Sequence, residues 1–312
     1  MKNIYLNKFD EINEYSSLNA SDVFDEIEKI ISLNLENRGM DKIKLNGQLE
    51  SCVTSLNSCN TIVIVTGFAV KDVNIGETDG PPGALALAYV LENLGKKVII
   101  ATDKYSEIFL KDGIKILNIN SEIIIFEENT EKEQADEIIK RYSPDHIIGI
   151  ERPGRGISNR CYSMLGEDIT SCCPNTDLLF IKARENMIPT SAIGDGGNEI
   201  GMGKVRDLVT KYVNKGDIIC ADFATDNLLI SGVSNWGAYG ICAGLCIINS
   251  NMLMYDEAMY ERISMEMLKK GAVDGCTRKK EATVDGLTYE ANLEVFLKLR
   301  LLAEMSTKSL VV

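Results

Sequence analysis

A single histidine, His146, and a single tryptophan, Trp236, stand in a chain of 312 residues. One histidine cannot build a His-rich metal cage. Acid–base work must fall to carboxylates, lysine, cysteine or metal-bound water. None of the nine cysteines stands in a CxxC pair, so the ligand spacing of a structural zinc site is missing. No apolar run approaches the ~18–20 residues that span a bilayer. The opening Met1-Lys2-Asn3-Ile4-Tyr5 leads into acidic, polar sequence. It lacks the apolar core of a secretory signal and the Arg-rich character of a transit peptide, so a cytoplasmic location and reduced thiols are expected. Positive charge is also scarce: 33 basic side chains against 46 acidic ones give a formal charge of −13. That balance argues against nucleic acid or an anionic membrane as the main partner.

What is present is ordinary globular composition, 45% apolar and 25% charged, with length enough for a large core. Residues 1–58 read as an N-terminal helical segment packed on the core. In it Val23, Ile27, Ile30 and Ile31 recur at helical spacing. From 59 to 312 the pattern is an α/β domain of short apolar runs alternating with helical stretches. Strands are expected at 61–66, 97–102, 123–126, 145–150 and 190–194, with a sixth starting at 217–220. Helices are expected over 81–94, 131–141, 176–187, 199–214, 236–249 and 254–270. Continuous β-branched runs between helices predict a mostly parallel, Rossmann-like sheet with helices on both faces. His146 lies inside a strand run and reads as a core histidine.

Laid onto that pattern, carboxylates gather at strand ends. Asp103, Glu151, Asp195 and Asp226 each follow an expected strand, and Glu77 and Asp79 lie in the loop after the first. Open parallel sheets bind ligands at the carboxyl ends of their strands. Helix capping explains any one of these acids. It does not explain the glycines and prolines around them. In Glu77-Thr78-Asp79-Gly80-Pro81-Pro82-Gly83-Ala84, two prolines fix the first turn of a helix whose free N–H groups suit a carboxylate or phosphate. Residues 194–203 (GDGGNEIGMG) hold five glycines in ten positions, a costly choice unless backbone must curl around a ligand. No GK[ST] follows, the spacing is not that of a dinucleotide fingerprint, and no nucleotide is expected. Ser234-Asn235-Trp236 stands in a glycine-flanked loop before a small-residue helix. Arg152 and Arg155 adjoin Glu151, either as a structural ion pair or as receptors for an anionic substrate.

Together, ETDGPPGA at 77–84, IERPGR at 150–155, GDGGNEIGMG at 194–203 and VSNWGAYG at 233–240 resemble the D-glutamate cyclase family, in order and in spacing, from about residue 20 to 300. The resemblance implies a lyase converting D-glutamate to 5-oxo-D-proline and water. It assigns the catalytic loop to Asp195, Asn198 and Glu199. A divalent metal, Mn or Mg, would be held by Glu77, Asp79 and Glu199. Arg152 and Arg155 would bind one substrate carboxylate, and the backbone around Thr78, Gly80 and Gly83 the other. Gly196 and Gly197 would line the site, and Ser234, Asn235 and Trp236 would close it. A small amino-acid substrate is the expected partner, and a homo-oligomer is left open. Two other readings stand beside this one: a metal-dependent enzyme acting on a small phosphorylated or carboxylated metabolite, and a non-catalytic amino-acid-binding protein.

Overall fold

The computed structural model describes residues 20–309. The opening Met1 to Tyr5, from which the location was read, lies outside the described residues. Six parallel strands form the central sheet: β1 (Thr61–Thr66), β4 (Lys97–Thr102), β5 (Glu122–Ile125), β6 (His146–Ile150), β7 (Thr190–Gly194) and β8 (Asn227–Ile230). Their order is β5-β4-β1-β6-β7-β8. A short hairpin, β2 (Ala69–Val70) and β3 (Ile75–Gly76), rises from the end of β1. A second hairpin, β9 (Thr283–Val284) and β10 (Leu287–Thr288), lies near the end of the chain.

Alternation along the strands divides the core. Ile62, Ile64, Ile148 and Ile150 face one layer, while Val63, Val65, Ile99 and Ile147 face the other. The first layer is built by helices α1 (Ala20–Ile31), α2 (Gln48–Ser58), α3 (Pro81–Asn93), α4 (Glu107–Leu117), α9 (Ser234–Ile248), α10 (Glu257–Lys269) and α11 (Tyr289–Ser309). The second holds α5 (Glu131–Tyr142) and α6 (Asp177–Glu185). The α/β fold with both faces covered is thus present. The apolar stripe read from Val23, Ile27, Ile30 and Ile31 is buried in α1. It rests on α9 through glycines: a Cβ on Gly240 would stand 2.9 Å from Ile31, and one on Gly244 would stand 2.8 Å from Val53 of α2. No described helix is long and apolar enough to cross a membrane. All nine cysteines, each among the described residues, are free.

Three readings need correction. The run at 217–220 is a short helix, α8 (Gly216–Ile219), that follows α7 (Arg206–Tyr212). Only Ile219 of its two isoleucines is buried, and Lys215 at φ 57° turns the chain before a strand can form. Asp226 therefore precedes β8 rather than following a strand. It accepts from Thr190 at the amino end of β7, at the opposite edge from the site. The 199–214 helix is realised only as α7 and a 3₁₀ turn before it, Gly203–Val205, because residues 199–202 stay in the loop. His146 is a core residue: its ring nitrogens lie 3.0 Å from Ser55 Oγ and 2.9 Å from Ser191 Oγ.

Candidate active site

The strand order reverses between β1 and β6, and that switch point opens a crevice at the carboxyl ends. The segment leaving β1 delivers Glu77 and Asp79, the end of β6 delivers Glu151, and the end of β7 delivers Asp195 and Glu199. The turn between β9 and β10 adds Asp285. All six are buried or nearly so. A cavity of about 220 Å³ lies against them, lined on its polar side by Arg38, Glu77, Glu151, Asn198, Cys276 and Asp285. Asp195 and Glu199 lie beneath that lining.

Each acid is held by a local device. Asp79 Oδ1 accepts the N–H groups of Gly80 (2.9 Å) and Asn235 (2.8 Å), and its Oδ2 accepts that of Ser234 (2.9 Å). It thereby caps α9 from another loop. Asn235 answers in kind: its Oδ1 accepts from Gly80 (3.0 Å) and Gly83 (2.8 Å) at the start of α3. Two helix N-termini are tied to each other. Glu199 draws the glycine loop around its carboxylate, accepting from Asp195 (3.1 Å), Gly196 (2.7 Å) and Gly197 (2.7 Å). Glu151 stands at φ 44°, a strained conformation for a residue with a side chain, and accepts from Ser234 Oγ at 2.6 Å. Asp274 fixes the last loop through the N–H groups of Cys276, Thr277 and Gly286. A Cβ on the adjacent Gly275 would lie 1.8 Å from Glu77 Oε2, so only glycine fits there.

Arg38 is the cation bonded into this cluster among the described residues. It follows Asn34 (φ 72°) and precedes Gly39 (φ 77°), two left-handed residues that bracket a one-turn helix, Leu35–Arg38. It pairs with Asp195 and, at 2.7 Å, with Asp285. One guanidinium cannot neutralise six carboxylates in a low-dielectric pocket. Burial, with Asp285 and Asp79 as further causes, holds Glu77 well above the usual carboxylate range. Burial, with Glu199, Asp79, Glu77 and Asp285, does the same to Glu151. Asp79 is pushed up to about 8 by burial and Asp285, against the pull of its N–H donors. Burial opposes the charge of Arg38, yet Asp285 and its other anionic neighbours raise its pKa overall. One Oδ2 on Asp195 and one on Asp285 are buried without a hydrogen-bond partner.

Two groups of carboxylate oxygens lie within 4.8 Å of one another: Asp79–Asp195–Asp285 and Glu151–Asp195–Glu199. Hard oxygen donors and the unpartnered Asp195 Oδ2 fit a divalent cation such as Mg²⁺ or Mn²⁺. Glu77 belongs to neither group.

Residues 27–300 match the family described as D-glutamate cyclase-like, C-terminal. The chain belongs to that family. It is also 32% identical, over 249 residues, to the human protein named D-glutamate cyclase, mitochondrial. The matched stretch is 75% of this chain and 40% of the human protein, so the chain spans well under half the length of that relative.

Within this family member, Glu77, Asp79, Glu151 and Asp195 converge with Glu199, but Asp103, Asp226 and several of the expected neighbours do not. Arg152 is fully buried and turned away. It donates to Thr176 Oγ1 (3.0 Å), Gly67 O (2.8 Å) and Pro174 O (3.0 Å), and pairs with Asp103. Arg155 donates to the carbonyls of Asn159 (3.1 Å) and Cys173 (3.2 Å) and lines a different, open depression. Trp236 sits in the core, its Nε1 donating to Asn292 Oδ1 at 2.9 Å. The N–H groups of Gly80, Gly83, Gly196 and Gly197 are engaged by Asn235 and Glu199 rather than open to a ligand. Thr78 is tied to the β9 segment, its Oγ1 donating to Thr283 O at 2.8 Å. Asn198 lines the cavity and is anchored by Nδ2 to Tyr162 O at 2.8 Å. The sequence reading missed Arg38 and Asp285. The left-handed Asn34 and Gly39 bracketing Arg38, and the Asp285-Gly286 turn, were the available signals.

Proposed function

We propose that the chain is a D-glutamate cyclase acting as a lyase, converting D-glutamate to 5-oxo-D-proline and water. The observation that carries this reading is that one small cavity is lined by Glu77 and Glu151, whose burial favours the protonated form, and by Asp285, which is paired with Arg38. Splitting two acids by environment is how a protein assigns acid and base roles to the same side-chain type. The family membership supports the same chemistry.

In this account Asp285 takes a proton from the substrate ammonium, and the freed amine attacks the γ-carboxyl carbon. Glu151, which burial and its acidic neighbours push toward the protonated form, delivers a proton to the departing oxygen. One C–N bond forms and one C–O bond breaks. Nitrogen loses two protons and water leaves with two. Ring closure is intramolecular, so holding the chain folded provides much of the rate. Asn198 lies within the cavity wall, where an amide N–H could face the developing oxyanion. Asp195 and Glu199 hold Arg38 and the glycine loop in place. A divalent cation, if held by Asp195 and Glu199, would supply Lewis-acid polarisation of the γ-carboxyl while Glu151 keeps its proton.

The test is direct. Incubation with D- and L-glutamate, with Mn²⁺ or with EDTA, is followed by NMR. Growth of 5-oxoproline signals supports the reading, and their absence under every condition overturns it.

A further inference from the structure

Resting on that reading, we infer that Arg38 is the receptor for the α-carboxylate of an α-amino acid. The cavity wall holds three cations: Arg38, Lys71 and Arg278. Arg278 is engaged at the rim by Asp72 and, at 2.7 Å, by Glu167. Lys71 reaches outward to the carbonyl of Asp168 at 2.7 Å. Arg38 alone of the three is bonded to the acids at the cavity floor. Its side chain is 18% exposed and lines the cavity while its two terminal nitrogens pair with different aspartates.

The anions beside it set the ligand chemistry. Asp195 and Asp285 each give one oxygen to Arg38 and keep a second, buried and without a partner. Their side chains are 1% and 7% exposed. A buried carboxylate oxygen with no donor is costly and points to a cationic ligand group. The pocket therefore presents a guanidinium beside an acceptor for an ammonium, Asp285, which lines the cavity. An ammonium and a carboxylate on one carbon offer a partner to each, whereas a simple amine or a simple dicarboxylate offers only one sign of charge. The γ-carboxyl then lies toward Glu77 and Glu151, which line the same cavity. Arg152 and Arg155, to which the sequence assigns this role, do not line the cavity.

Ligand-observed NMR titration tests this, because binding and ring closure are read in one tube. The ligands are D-glutamate and its α-amide, which keeps the amine and the γ-carboxyl. The wild type is expected to prefer D-glutamate by about tenfold or more, the value of one charge-assisted fork. Arg38→Met is expected to bring that preference below about twofold. Arg38→Lys keeps the charge without the fork and serves if the first variant does not fold. It is expected to fall between the two. Wild-type preference in either variant, or no preference in the wild type, overturns the assignment. Preferential binding without 5-oxoproline would leave the Arg38 subsite standing and remove the cyclase reading.

Discussion

At the scale of the residue, the two arginines beside Glu151 show how a motif can be read correctly and placed wrongly. Arg152 follows a strand-end carboxylate, yet its guanidinium points under the sheet edge to Asp103 and three oxygens of the chain. Removing one partner of a buried ion pair leaves an uncompensated charge. Arg152→Met is therefore expected to lower stability by about 3–5 kcal/mol, measured by denaturant unfolding. The apparent KM for substrate should stay within about twofold in whatever protein remains folded. A large rise in KM with unchanged stability would restore Arg152 to the substrate. Sequence spacing gives the strand end. The direction of a long side chain depends on the loops that fold over it, here the segment holding Pro174 and Thr176.

At the scale of the element, the site is a joint between helix N-termini. Asp79 caps α9 and Asn235 caps α3, so each loop satisfies the other's orphan N–H groups. Asn235→Ala is expected to cost about 1–3 kcal/mol, because the buried N–H of Gly83 loses its acceptor and that of Gly80 keeps only Asp79. Activity should fall with it, since Asp79 and Glu77 share that loop. A thermal melt beside a rate measurement checks both. Unchanged activity at reduced stability would show that the joint does not position the acids. The ETDGPPGA and VSNWGAYG motifs were legible as glycine- and proline-marked turns. Their mutual capping was not, because it joins residues 155 positions apart. Five strands were legible for the opposite reason: β1, β4 and β6 are apolar runs buried on both faces, β5 is an isoleucine run at the sheet edge and β7 a short buried run, all properties of consecutive residues. The sixth was misplaced because the 217–220 run is half exposed and the true β8 is only four residues long.

At the scale of the whole molecule, an anionic protein concentrates its buried carboxylates in one place, and pH should report this. Asp79 binds its proton more tightly when folded, at about 8 against an ordinary value near ~3.9. The folded state then holds more protons across that window. Its contribution to stability is complete below about pH 4 and is lost as pH rises to about 8. Glu77 and Glu151 act in the same direction. His146 acts in the other direction. Burial lowers it to about 4, so the unfolded chain takes up the proton first, and stability falls as pH drops below about 6.5. Melting temperatures in EDTA are expected to decline from about pH 6 to pH 8.5, and Asp79→Asn should flatten that slope. A slope that Asp79→Asn leaves unchanged would remove Asp79 as a cause. The N-terminal segment belongs to the same accounting, since α1 and α2 bury their apolar faces on α9 and the turn after α1 delivers Arg38.

The most direct test of the cavity as the place of ring closure is the rate of 5-oxoproline formation from D-glutamate by Asp285→Asn beside the wild type. Asn is isosteric and keeps an acceptor for Arg38 but cannot take the ammonium proton. The account predicts a fall in kcat of about 10²–10⁴-fold, the usual worth of a general base, in a protein that melts within a few degrees of the wild type. Turnover at the wild-type rate in folded Asp285→Asn would contradict it.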